Sequence, residues 1–170
     1  PCTPAQKVPA MNKTELLKQV IARLEDDLLQ AQQAALTAYE TATHEENIAE
    51  NKYDTLGLEA SYLATGQARR AAAIRQTLAN WKLLVLRAFD PLLGIQLGAL
   101  IELSDDEDRR QCLFLGPDGA AMKLQQDGQS IQVIGPQAPL GLILIGKTVG
   151  DEVTLHVASG VQLLEILSVD

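Results

Sequence analysis

The 170 residues hold 14 Lys and Arg against 22 Asp and Glu, a formal net charge of -8. That balance argues against a protein that coats DNA or RNA, because such proteins neutralise phosphates with an excess of Lys and Arg. Hydrophobic residues make up 46% and aromatics only 4%, which suits one or two small domains with narrow helix–helix contacts and little large core.

Residues 1–11 are rich in Pro and read as an N-terminal tail or an expression remnant, outside the folded part. A first helix is predicted to start at Asn12, whose side chain can cap it, with Glu15 completing a capping-box pair. Its seam is Leu17, Ile21, Leu24, Leu28, Ala31, Ala35, Ala38 and Ala42, at the alternating four–three spacing of a coiled coil. A polar stretch, Thr43-His44-Glu45-Glu46-Asn47-Ile48-Ala49-Glu50-Asn51, follows. A second seam runs through Tyr53, Leu56, Ala60 and Leu63 and then Ile74, Leu78, Trp81 and Val85, with a stutter near Gln67–Ile74. That helix should end by Phe89, since Pro91 disfavours helix at Asp90. Residues 12–90 are thus expected to form an antiparallel hairpin with an acidic tip near 45–54. Each arm should reach about 50 Å, with Leu and Ile near the open end and Ala toward the tip.

From Gly94 the period changes to two, through Ile95, Leu97, Ala99, Ile101 and Leu103. Ser104–Asp108 reads as an acidic turn, with Gln111–Leu115 as the returning strand closed by Gly116-Pro117-Asp118-Gly119. Further strands are predicted near Ala120–Leu124, Ser130–Ile134, Glu152–Val157 and Val161–Val169, with a short helix within Pro139–Gly146. Residues 94–170 therefore read as a small antiparallel β domain, and the whole as α+β.

Ala138-Pro139-Leu140-Gly141-Leu142-Ile143-Leu144-Ile145-Gly146-Lys147-Thr148-Val149-Gly150-Asp151-Glu152-Val153 resembles the C-terminal signature of the bacterial Gre factors (GreA/GreB). Gly98-Ala99 and the order of parts are similar too. The resemblance implies an FKBP-like β domain that docks on the secondary-channel rim of RNA polymerase, here through Pro139, Leu140, Leu144 and Lys147. It implies a hairpin that enters the channel and stimulates cleavage of backtracked transcripts by the polymerase's own active site. Glu46 and Glu50 would be the tip acids that help hold a polymerase Mg²⁺, with Asp54 a third candidate one turn beyond Glu50. The factor would have no cofactor of its own, reach the nascent RNA 3′ end only indirectly, bind no DNA stably and touch no membrane.

Other readings follow from other residues. With Glu50-Asn51 laid on the family's Glu-Asn, the family's first tip acid falls at Asn47, which points to a non-cleaving secondary-channel regulator as the alternative. An FKBP-like prolyl isomerase or chaperone is disfavoured, because beyond Asp90 only Phe114 could line an aromatic pocket. A structural coiled-coil partner would leave the tip acids without a task. Arg69, Arg70 and Arg75 form a short basic patch that could meet an anionic channel wall or RNA phosphate, or simply confer solubility. His44 beside Glu45 lacks the second His or Cys of a zinc site, and Asp105–Asp108 lacks the spacing of a calcium loop. No run reaches the ~18 apolar residues of a membrane span. Cys2 and Cys112 form no ligand motif, and no secretory signal is evident, so the cytoplasm is the expected compartment.

Overall fold

The computed structural model describes residues 11–44 and 56–170. Two long helices, α1 (Lys13–Thr43) and α2 (Leu56–Leu83), pack against each other. They precede a six-stranded sheet and one short helix, α3 (Pro139–Leu144). The start of α1 is as predicted. Asn12 is extended (φ -90°, ψ 102°), and its Oδ1 accepts from the N–H groups of Thr14 and Glu15 at 3.0 and 3.4 Å. The reciprocal half of the capping box does not form. The Asn12 N–H instead donates to Gln126 Oε1 at 2.8 Å, and Glu15 pairs with Lys18 at 3.2 Å. The cap therefore also fastens the helix to the sheet.

On α1 the predicted seam is buried at Leu24, Ala31 and Ala38, and half-buried at Leu17, Ile21, Leu28, Ala35 and Ala42. Leu16 and Val20, one position off that seam, are fully buried because the base of α1 faces the sheet as well as α2. On α2 the seam is Ala60, Ala64, Gln67, Ala71, Ile74, Leu78 and Trp81, an unbroken four–three alternation. Leu63 and Val85 are exposed, and no stutter is needed. Ala60, Ile74, Leu78 and Trp81 are where periodicity put them; the prediction broke between them because the seam passes through Gln67, a polar residue whose buried Oε1 has no hydrogen-bond partner among the described residues. Helix α2 stops at Leu83, short of Phe89. The N–H of Leu84 donates to the Trp81 carbonyl at 3.2 Å, and the chain turns so that Leu84 and Leu86 lie against the sheet.

The strands are β1 (Leu100–Asp105), β2 (Arg110–Leu115), β3 (Lys123–Gln126), β4 (Gln129–Ile134), β5 (Glu152–Val157) and β6 (Gly160–Val169), in the order β3-β4-β2-β1-β6-β5. Strand β1 begins later than the alternation from Ile95 implied, because residues 95–99 form turns. All pairs are antiparallel except β2 with β4, which run parallel from Cys112↔Ile131 to Leu115↔Ile134. The β3–β4 hairpin closes on Asp127-Gly128, both at positive φ (51° and 76°), the geometry of a two-residue type I′ turn.

Both sheet faces are covered. Leu100, Phe114, Ile131 and Val133 join Leu16, Val20, Leu24, Leu78 and Trp81 of the hairpin in one core. Ile101, Leu103, Leu113, Leu115, Leu164 and Ile166 form a second core with Ile95 and Leu144. Side chains alternate across a strand, so a sheet buried on two sides needs apolar runs such as Cys112-Leu113-Phe114-Leu115. The free Cys112 thiol is pushed up, first by burial and then by Glu102 opposite it, which favours its protonated form.

The acidic turn is a plain β-hairpin loop pinned from within. Asp105 accepts from the N–H groups of Glu107 and Arg109, both at 2.9 Å, and from Arg109 Nε at 2.8 Å. The backbone bond from Arg109 is the main cause that holds the Asp105 carboxyl below the ordinary value of about 3.9. A depressed folded-state pKa contributes stability that is present above the unfolded value and lost as pH falls through the folded one. Exchange protection of the Glu107 and Arg109 amides should therefore hold at neutral pH and through the ordinary aspartate range, and be lost only in stronger acid. In Asp105→Asn protection should be weak at every pH. Unchanged protection in that variant would refute the carboxylate's role.

Candidate functional site

Two regions bear on function: the segment from Ala138 to Asp151 and the hairpin with its tip. The first starts as a short helix. Ala138 is extended (φ -63°, ψ 147°), Pro139 opens α3, and Leu142 N–H donates to the Ala138 carbonyl at 2.9 Å. Gly141 packs so tightly on the Gly135 carbonyl that a Cβ would overlap it. A two-bond clasp then joins the segment to the linker between hairpin and sheet. Ile95 N–H donates to the Lys147 carbonyl at 2.8 Å, and Gly146 N–H to the Ile95 carbonyl at 2.9 Å. Beyond it, Asp151 Oδ2 accepts from the Thr148 N–H at 2.9 Å and closes the last turn before β5.

Helical spacing divides this segment into two faces. Leu144 is 0% exposed, part of the core beneath α3, so it supports the segment and offers nothing to a partner. Leu140 is half-buried on the same core. Pro139, Leu142 (60% exposed), Ile145, Lys147 and Val149 face outward. Leu142 and Ile145 were missed because the apolar run Leu140–Ile145 reads as uniform. The 3.6 period places 139, 142 and 145 on one side and 140 and 144 on the other.

On the hairpin, Arg69, Arg70 and Arg75 are all exposed. At 100° per residue they point in three directions around α2, so they build no single basic face. His44 is the C-cap of α1 (φ -63°, ψ 134°), and His156 is exposed on β5. Glu45, Glu46, Glu50 and Asp54 lie outside the described residues. Among the described residues no group of three His, Cys, Asp or Glu could hold a metal ion, and no helix is long and apolar enough to cross a membrane.

Comparison with protein families matches residues 94–170 to "Transcription elongation factor, GreA/GreB, C-term". Residues 94–170 thus carry the pattern of that Gre-type C-terminal domain. The match begins at Gly94, at the linker clasp, and takes in all six strands and α3. No curated protein matches the chain. Among solved structures, GreA factor homolog 1 (Gfh1) of Thermus thermophilus is 22% identical over 92% of this chain and 93% of its own, with a TM-score of 0.38. Thermus aquaticus Gfh1 is 20% identical over 87% and 92%, with a TM-score of 0.40. The elongation factor GreA/GreB of Nitrosomonas europaea is 20% identical over 58% and 78%, with a TM-score of 0.37. Likenesses this distant carry no functional argument.

Proposed function

We propose that this protein is a transcription factor that docks on the secondary-channel rim of RNA polymerase through its Gre-type domain. Its hairpin tip then enters the channel and stimulates cleavage of backtracked RNA by the polymerase's own active site. The carrying observation is the family match over residues 94–170 in a chain whose helical hairpin shares a core with that domain. A rod fixed to a docking domain through Trp81 and Phe114 can deliver its far end to a set place. The docking side chains would be Pro139, Leu142, Ile145 and Lys147, with Leu140 partly covered and Leu144 holding them from below.

The protein acts as an accessory factor rather than an enzyme. A Mg²⁺ shared with the polymerase would polarise phosphate oxygens and activate water there. Glu46 and Glu50, with Asp54 one turn beyond, offer the hard carboxylate oxygens that such an ion takes alongside phosphate and water. The nascent RNA 3′ end is met only inside the polymerase.

The test is RNA shortening in backtracked complexes supplied with the full-length protein. Wild type should raise cleavage above the intrinsic rate. Glu46→Ala and Glu50→Ala should each lower that stimulation by roughly 100-fold while polymerase binding is retained. Full cleavage in both variants would overturn the site assignment. Asn47, where the family's first tip acid falls, favours a second reading, a bound but non-cleaving regulator. Binding without shortening would establish it.

A further inference from the structure

The middle of the hairpin differs in charge from both ends. Leu28 to Tyr39 on α1 and Ala60 to Ala68 on α2 contain no Asp, Glu, Lys or Arg. The base of the same helices carries Lys13, Glu15, Lys18, Arg23, Glu25, Asp26 and Asp27 on α1, and Arg69, Arg70, Arg75 and Lys82 on α2. A two-helix rod in water normally carries charge on its outer positions. This stretch, about 18 Å long at 1.5 Å per residue, instead exposes large apolar side chains: Leu29 is 65% exposed, Tyr39 61%, Tyr62 69% and Leu63 56%.

The apolar surface lies on both flanks. One groove, of about 730 Å³, is lined by Leu29, Ala34, Ala38, Ala60 and Leu63. The other, of about 480 Å³, is lined by Ala35, Leu36, Tyr39, Ala64 and Ala68. They share no residue, and Ala34 and Ala35 are a 100° step apart around α1. A flat partner or a second copy of the chain would cover one flank and leave the other wet. A nucleic acid would find no cation in the whole stretch.

We infer that this uncharged shaft is a contact surface for an enclosing protein wall that is itself uncharged and largely apolar, and that meets both flanks at once. The inference rests on the proposed channel-binding function and assigns the wall to the polymerase. Burial of a segment without ionised groups carries no charge-desolvation penalty, and its strength is insensitive to salt, since screening acts on charges.

The experiment measures affinity of the full-length protein for bacterial core RNA polymerase, with Leu63→Glu and Leu63→Lys on one flank and Tyr39→Glu on the other. Both positions are exposed, so melting and helicity of all three variants should match wild type. Each variant is expected to bind at least tenfold more weakly, both in low salt and at about 0.5 M salt, where charge–charge contacts are screened within a few ångströms. Leu63→Met and Tyr39→Phe should bind like wild type. A loss confined to one flank means a flat partner and overturns the inference. So does a gain from Leu63→Lys, which would mean an anionic wall, and so does a free protein that sediments as a dimer split by Leu63→Glu. Wild-type-like binding by all the charged variants overturns this inference alone. No binding by wild type removes the channel-binding reading and this inference with it.

Discussion

Trp81→Ala should cost about 3–5 kcal/mol, the range for deleting a buried large aromatic, and should loosen the hairpin from the sheet. Trp81 is fully buried where the two halves meet. Its ring lies 5.9 Å from that of Phe114, centroid to centroid, tilted by 53°. It also sits so close over Gly116 that a Cβ there would overlap it. The same core takes in Leu16 and Val20 from α1 and Leu124, Ile131 and Val133 from the sheet. Deleting the indole opens a cavity that no single neighbour can fill. The remaining ties, such as Arg23 to the Lys123 carbonyl at 3.2 Å and Gln19 to the Gln125 carbonyl at 3.3 Å, are exposed hydrogen bonds worth about 1 kcal/mol each.

Trp81→Phe is the informative companion. The indole Nε1 is buried without a hydrogen-bond partner among the described residues, so removing that donor releases an unmet desolvation cost. Phe should recover more than half of the alanine loss. Thermal melting of both variants checks this, and amide exchange along α1 and β3 reports the coupling. If Trp81→Ala melted within about 1 kcal/mol of wild type, the shared core could not be what fixes the hairpin to the sheet. The functional consequence follows directly. Under the proposed function, a loosened hairpin would still dock through the sheet domain but would no longer bring its tip to a set place, so cleavage should fall further than binding.

The role of Trp81 also shows how far the sequence is legible. Its place in a helical seam follows from local spacing with Leu78 and Ile74. Its second role depends on Phe114 and Gly116, more than thirty residues away, and no periodicity reports a contact between segments that far apart. The same limit explains Leu16 and Val20, which a two-helix pattern leaves outside the seam although the sheet buries them. It explains the parallel β2–β4 pair as well, since strand period says which residues alternate and not which strand lies next to which. Gln67 misled in the opposite way. A seam read from apolar residues alone skips a glutamine that geometry keeps in register. In the segment after Ala138, the residues that identify the family are legible in order, but six consecutive apolar or Gly positions conceal which side chains face outward. Only the packing of Leu144 into the core settles that Leu142 and Ile145 are the ones a partner could touch.

Gly94→Ala should be the second severe change, through backbone rather than side-chain loss. Gly94 has φ +72°, and a Cβ there would overlap the Gly146 backbone carbonyl. An L-residue at that φ is disfavoured by roughly 1–2 kcal/mol, and a carbonyl in a bonded turn cannot swing away as a flexible side chain could. The linker and the 146 turn must part, which breaks the bonds from Ile95 to the Lys147 carbonyl and from Gly146 to the Ile95 carbonyl. At about 1 kcal/mol for each lost bond, the total comes to roughly 3 kcal/mol. Ile95 is fully buried in the lower core, so the movement cannot stay local. It displaces Ile145 and Lys147 relative to the hairpin that the linker carries. Amide exchange at Ile95 and Gly146 should rise sharply in the variant, and polymerase affinity should fall at least as far as in Lys147→Ala, which removes a charge but leaves the clasp intact. Retained protection at both amides, with a stability loss below about 1 kcal/mol, would mean that the turn yields without opening and that the clasp does not position the docking segment.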